Sequence, residues 1–333
     1  MPRAYVIEQA EQPDGKRVRT ARLREVGDEF LPDEAVTVDV EYSSVNYKDA
    51  LALTGRPGVV RSFPMIAGID LAGTVTASGD AKWSPGDRVA LFGDGLSETR
   101  FGGLAERARV RPDALVRIPH ELSTAQAAAI GTAGFTAQLC VLALERNGVV
   151  PGGLPVLVTG AGGGVGSIAI SLLASAGYEV TASTGRVDEL GDELRRLGAT
   201  DVVDRAQFGE AGKPLDTQRW AGAVDSVGGQ TLATVLSQIE YGGAVASCGL
   251  AGGAELPATV MPFILRGITL AGVNSVDAPR ELRDEAWLRV STGVDLGILD
   301  SLTEIVPLDG AIDAAQRVLA GGVHGRIVVD VRA

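Results

Sequence analysis

The segment Val-Leu-Val-Thr-Gly-Ala-Gly-Gly-Gly-Val-Gly at 156–166 constrains what this chain can fold into more than any other feature. A short apolar run that ends in a glycine turn and passes straight into a helix-like stretch reads as strand, tight turn and helix N-terminus. The pattern then repeats. Strands are expected at 156–159, 179–183, 201–203, 221–225, 244–248 and 269–273, with helices at 167–176, 188–197, 231–239 and 260–265. Gly177 and Gly198 stand where helices commonly end. Strict alternation of strand and helix implies a parallel sheet covered on both faces, an α/β fold of the doubly wound Rossmann type.

A glycine turn in that position lets backbone approach a pyrophosphate, and the N–H groups of the helix start attract its charge. Gly163, Gly164, Val165 and Gly166 are the expected contacts. Gly160 and Gly162 fit a G-x-G-x-x-G spacing but Val165 takes the third place; Gly160, Gly163 and Gly166 fit G-x-x-G-x-x-G instead. A tight turn with no ligand is the competing reading, and the βα units on both sides favour dinucleotide binding. The second strand ends in Ala-Ser-Thr-Gly-Arg at 182–186, with no carboxylate at the tip for a ribose hydroxyl. Thr184 can donate, Gly185 permits close approach, and Arg186 has the charge and fork geometry for a 2′-phosphate. The cofactor expected is therefore NADPH. Arg205, after the third strand, is expected to add charge at the adenosine end. Asp188 weighs against the assignment, and a solvated surface role is the alternative for Arg186.

Before residue 124 the texture changes to short β-like pieces at 36–42, 73–77 and 88–91 separated by Pro and Gly turns, which reads as a β-rich domain. The last residues return to mixed structure. The expected division is a first part of the substrate domain at 1–124, the dinucleotide domain at 125–275, and a return to the substrate domain at 276–333. A net charge of −12 gives no attraction to nucleic acid or an anionic membrane, which leaves a small-molecule substrate. Residues 1–20 show no apolar secretory run. The uncharged stretch 125–144 is as long as a bilayer crossing, but its Ala, Gly, Thr and Gln content and the capping box at Ser123–Gln126 point to a buried helix. Cys140 and Cys248 read as two buried free thiols in a reducing, cytoplasmic setting.

Several runs carry a family resemblance: Ser-Ser-Val-Asn-Tyr-Lys-Asp-Ala at 43–50, Phe-Pro-Met-Ile-Ala-Gly-Ile-Asp at 63–70, and Phe-Gly-Gly-Leu-Ala-Glu at 101–106. They continue with Ile-Gly-Thr-Ala-Gly-Phe-Thr-Ala at 130–137, Trp-Ala-Gly-Ala at 220–223, Cys-Gly-Leu-Ala-Gly-Gly at 248–253 and Val-Met-Pro-Phe-Ile-Leu-Arg at 260–266. In these the chain resembles the medium-chain dehydrogenases/reductases, and most of all their acrylyl-coenzyme A reductase/YhdH-type quinone oxidoreductase branch. The resemblance implies a GroES-like fold for the β-rich domain. It also implies nicotinamide-side contacts from Leu250, Ile264 and Ser275, and a homodimer formed edge to edge through the last Rossmann strand.

Zinc enzymes of the superfamily need Cys, His and Glu ligands. Where their Gly-His-Glu stands this chain has Gly68-Ile69-Asp70, the ligand-Cys region reads Asn46-Tyr47-Lys48-Asp49, and His120 and His324 are isolated. No metal is expected. Conjugate reduction remains accessible: hydride adds to the β-carbon of an enoyl thioester, charge moves to the thioester oxygen, and a proton reaches the α-carbon. By family position Tyr47 is expected at the nicotinamide, relaying that proton or only packing on the ring, with Asn46 as a hydrogen-bond donor beside it. The expected activity is acrylyl-CoA reduction to propionyl-CoA. An NADPH:quinone reductase and a non-catalytic NADPH-binding protein are the alternatives.

Overall fold

The computed structural model describes residues 1–333, which divide into two compact units. One comprises Met1–Thr132, Ser275–Trp287 and Leu299–Ala333; the other comprises Ala133–Asn274 with Leu288–Ile298. The division falls between Thr132 and Ala133, inside the helix Thr124–Arg146 and next to its break at Gly131, where φ is +46°. It also assigns Leu288–Ile298 to the dinucleotide unit, where Arg289 pairs with Glu145 at 2.7 Å.

The second unit is built on one parallel six-stranded sheet. Its spatial order is Asp201–Asp204, Val180–Thr184, Val156–Val158, Trp220–Asp225, Ile239–Ser247 and Thr269–Gly272. In chain order that is 3-2-1-4-5-6, the doubly wound arrangement. The glycine turn lies between the strand Val156–Val158 and the helix Gly164–Ser175. Helices Val187–Arg196 and Gly229–Gln238 follow the second and fourth strands. Gly177 and Gly198 take positive φ and donate back to Ala174 and Arg195, as helix-ending glycines do. Leu157, Phe208, Trp220, Val235, Leu236 and Val245 form an apolar core on the sheet.

One strand departs from its expectation. The chain leaves the helix Gly229–Gln238 directly into a strand at Ile239, five residues before the apolar run at 244–248 begins. Ile239 pairs with Trp220 across a register shift, and Glu240, Tyr241 and two glycines hide the pairing from a reading based on apolar runs.

The first unit holds a seven-stranded sheet in the order Thr303–Pro307, Arg326–Asp330, Val36–Ser44, Asp70–Ser78, Arg88–Phe92 and Val116–Arg117, with Arg107–Val110 pairing to Val36–Ser44. A smaller sheet pairs Arg3–Glu11 with Arg17–Glu25 and Met65–Ile66. Val36, Val38 and Val40 alternate inward along their strand, and helices Tyr47–Leu53 and Ala311–Leu319 pack together over the same core. Thr124–Arg146 is long and apolar enough to cross a membrane, yet 89% of its most apolar window is buried inside the protein. Its start carries the expected capping box: Gln126 Oε1 accepts the Ser123 N–H and Ser123 Oγ accepts the Gln126 N–H, both at 3.0 Å.

Candidate active site

In the dinucleotide unit the turn is built for backbone approach. A Cβ on Gly166 would lie 2.4 Å from the Gly160 carbonyl oxygen, so only glycine lets the helix start this close to the turn. Gly163 caps the helix with no side-chain hydrogen bond, which leaves the first-turn N–H groups facing outward for an anion. Thr184 ends the second strand and its Oγ1 accepts the Arg186 N–H at 3.2 Å. The Arg186 guanidinium reaches the glycine turn, where a Cβ on Gly162 would stand 3.6 Å from Nη2, and it also lies 3.4 Å from Glu189. Arg205 folds over Gly185, with its Nε 2.5 Å from where a Cβ would be. Thr184 and Arg186 thus lie against Gly162 of the turn, Arg205 lies over Gly185, and Asp188 is exposed on the first turn of the next helix. Two guanidiniums and no carboxylate at the strand tip fit a phosphorylated adenosine ribose.

Leu250 and Ile264 are 62% and 71% exposed, the first in the loop after the fifth strand and the second on the short helix Met261–Arg266. Ser275 falls in the other unit, where its carbonyl oxygen would stand 2.7 Å from a Cβ on Gly93. Cys248 is half-exposed rather than buried, because it lies just past the strand end; Cys140 is fully buried.

The first unit carries a buried polar network at the start of the helix Tyr47–Leu53. Asp70 is wholly buried; its carboxylate accepts from Ser44 Oγ, from Asn46 Nδ2 at 2.8 Å, and from the Thr132 N–H and hydroxyl at 2.9 and 2.5 Å. Arg326 is buried beside it at 3.8 Å and donates to the Ala129 carbonyl, Asn46 Oδ1 and Ser44 Oγ. Asp49 accepts the N–H groups of Asn46 and Ile69 at 2.9 and 2.8 Å. Burial, with the Asp70 charge adding to it, pushes the Asp49 carboxyl up to about 7. Gly131 is required where the kinked helix crosses the cluster, since a Cβ there would meet Asp70 Oδ2 at 2.6 Å.

Asn46 is part of this network. Its amide donates to Asp70, Asp49 and Ser44 and its carbonyl accepts from Arg326, so both amide hydrogens are engaged inside the protein. Asn46 thus ties the residue before Tyr47 to Asp70, Asp49 and Arg326. Tyr47 itself is 46% exposed at the helix start. In the sequence Ser44, Asp49, Asp70 and Thr132 stand in motifs with no role attached, and Arg326 stands in none. Its available signal was an arginine immediately before the apolar run at 327–329. No cluster of three His, Cys, Asp or Glu side chains that could hold a metal ion occurs, and His120 and His324 are both exposed.

The family model described as alcohol dehydrogenase GroES-like domain matches residues 32–120, and that described as zinc-binding dehydrogenase matches residues 164–291. The chain is 48% identical to the acrylyl-CoA reductase AcuI of Ruegeria pomeroyi over 99% of both chains. It is 48% identical to the yhdH oxidoreductase of Salmonella enterica, solved in complex with NADP, with a TM-score of 0.94 over 99% of each chain. The Bacillus subtilis protein yhfP, solved with NAD bound, is 42% identical with a TM-score of 0.93 over 99% of each chain. The chain belongs to the acrylyl-CoA reductase/YhdH branch of the medium-chain dehydrogenase/reductase family.

Proposed function

We propose that this protein reduces the C=C bond of a short α,β-unsaturated acyl thioester, acrylyl-CoA to propionyl-CoA, with NADPH and without a metal. One observation carries the reading. The chain is 48% identical to an acrylyl-CoA reductase over 99% of both chains, and a buried Asn46–Asp49–Asp70–Arg326 network holds the start of the helix that carries Tyr47. When bound, NADPH supplies the hydride for the β-carbon. Gly163–Gly166 receive the pyrophosphate through backbone N–H groups. Thr184, Gly185, Arg186 and Arg205 receive the 2′-phosphate, and Leu250, Ile264 and Ser275 border the nicotinamide. Tyr47 gives the α-carbon its proton, held in place by Asn46. The domain roles follow: the unit Ala133–Asn274 with Leu288–Ile298, expected at 125–275, holds the cofactor, and the other unit, expected at 1–124 and 276–333, holds the substrate.

We further propose a cytoplasmic homodimer. The edge strand Thr269–Gly272 has a partner on one side only, and Val260, Ile264 and Leu265 leave an exposed apolar patch on and beside the neighbouring helix. The functional reading is tested with chelator-treated protein given NADPH and acrylyl-CoA, a simple quinone, or neither. Propionyl-CoA formation is expected; rapid NADPH oxidation by the quinone alone would make the protein a quinone reductase, and no turnover with either would make it a binding protein.

Replacing Arg186 with Ala should weaken NADPH by roughly 1.5 to 3 kcal/mol, about tenfold or more, and leave NADH nearly unchanged, because the lost bond is charge-assisted. Titration of both dinucleotides checks it, and equal losses would refute the 2′-phosphate assignment. Tyr47→Phe should lower turnover on the thioester much more than NADPH affinity, as loss of a transition-state interaction does. Small or equal effects would mean that the ring only packs.

Asp49 makes stability depend on pH. Its folded-state value, about 7, lies above the ordinary 3.8, so the folded state holds a proton that the unfolded state has lost between these values. The stabilisation is full below about 4 and is lost as pH rises through about 7. Thermal melting should fall across that window in the native protein, and Asp49→Asn should flatten this part of the profile.

A further inference from the structure

Asp225 is the last residue of the fourth Rossmann strand, and its side chain is fully buried where the sheet order turns. The neighbouring strand Val156–Val158 leads outward to Val180–Thr184, whereas Trp220–Asp225 leads the opposite way to Ile239–Ser247, so a crevice opens between their ends. Three loops leave the sheet at this edge, and Asp225 holds all of them. Its carboxylate accepts from Thr159 Oγ1 at 2.7 Å and from the Gly228 N–H at 2.8 Å. Its backbone carbonyl accepts the Cys248 N–H at 2.8 Å and lies 3.4 Å from the Cys248 thiol, which donates to it.

Each anchored residue opens a glycine-rich stretch. Thr159 precedes the Gly160–Gly166 turn, Gly228 precedes the helix Gly229–Gln238, and Cys248 precedes Gly249 and Leu250. The loops touch at backbone distance: a Cβ on Gly160 would lie 2.4 Å from Ser226 Oγ, and a Cβ on Gly249 would lie 2.3 Å from the Ser226 carbonyl. Ser226 adds two bonds to Thr159, through its N–H at 3.2 Å and its hydroxyl at 3.1 Å. Glycine loops lose more conformational entropy than others when they are fixed. A ligand that had to order all three would bind more weakly for it.

We propose that Asp225 is a positioning residue for the nicotinamide cofactor: through Thr159, Gly228 and Cys248 it fixes the three loops of the crevice before the dinucleotide arrives. The proposal rests on the reading of this unit as a dinucleotide site. Asp225 contributes geometry rather than charge. A negative carboxylate beside a pyrophosphate works against binding, and burial already pushes this carboxyl above its usual range. An asparagine can offer oxygen to the Gly228 N–H and its amide to Thr159 Oγ1, whereas alanine offers neither.

The test titrates NADPH and NADH into the whole protein and into Asp225→Ala and Asp225→Asn, with steady-state kinetics on acrylyl-CoA and thermal melts alongside. Asp225→Ala is expected to raise the dissociation constant for both dinucleotides about tenfold or more, while turnover at saturating NADPH falls by less than about threefold. Asp225→Asn should recover most of that affinity. A lower melting temperature with unchanged dinucleotide affinity in the folded Ala variant would overturn the proposal, because Asp225 would then serve the fold alone. Should Asp225→Ala fail to fold, Thr159→Val removes one arm of the anchor and is expected to weaken both dinucleotides about threefold; an unchanged affinity there overturns it equally. Failure of the cofactor reading itself would show in the unsubstituted protein, which would then bind neither dinucleotide.

Discussion

Asp70 and Arg326 are both removed from water and lie 3.8 Å apart, and the geometry of the first unit around Tyr47 depends on keeping them satisfied. Neither charge is tolerable there alone, and removing one partner of such a pair typically costs about 3 to 5 kcal/mol. Four stretches distant in sequence meet to supply the hydrogen bonds: the turn from strand Val36–Ser44 into helix Tyr47–Leu53, the start of strand Asp70–Ser78, the kinked helix at Ala129–Thr132, and the first residue of strand Arg326–Asp330. Closing that ring fixes Asn46 on both faces of its amide. The exposed Tyr47 ring then stands on a rigid base, which is what a proton donor or a ring platform requires.

The second unit solves its problem differently. Its crevice is lined by glycine turns whose value is close approach, and glycine supplies approach without rigidity. Here the rigidity comes from hydrogen bonds made by the sheet edge, with Thr159, Asp225 and Ser226 linking loops that belong to different strands. The Arg186 guanidinium reaches Gly162 and that of Arg205 lies over Gly185, both close to the tip of the strand Val180–Thr184. A chain of net charge −12 thus concentrates two guanidiniums at one strand tip, the local arrangement that the proposed 2′-phosphate contact needs against the overall field.

What the sequence made legible was local. Strand, turn and helix around Gly160–Gly166, the ends of the helices at Gly177 and Gly198, and the gathering of Thr184, Gly185 and Arg186 all follow from residues adjacent in the chain. What it hid was long-range. Asn46 and Arg326 are 280 positions apart, and nothing in either neighbourhood announces that one accepts from the other. As a lone amide before a tyrosine Asn46 looks unpartnered in the sequence, and only the fold brings it to Asp70 and Arg326. The early start of the strand Ile239–Ser247 was missed because glycine and charge mask the pairing, and Cys248 looked buried because it follows an apolar strand.

In the proposed reaction a hydride from NADPH goes to the β-carbon of an enoyl thioester and a solvent-exchangeable proton to the α-carbon, with no metal involved. Isotope tracing on the chelator-treated protein tests this most directly. NADPH carrying deuterium on each face of C4 in turn would be reacted with acrylyl-CoA, and the reaction with unlabelled NADPH would be repeated in deuterated water. The account predicts deuterium on the β-carbon of propionyl-CoA from one face only, and deuterium on the α-carbon from the solvent. Cofactor deuterium on the α-carbon, or activity abolished by the chelator and restored by a divalent metal, would contradict it.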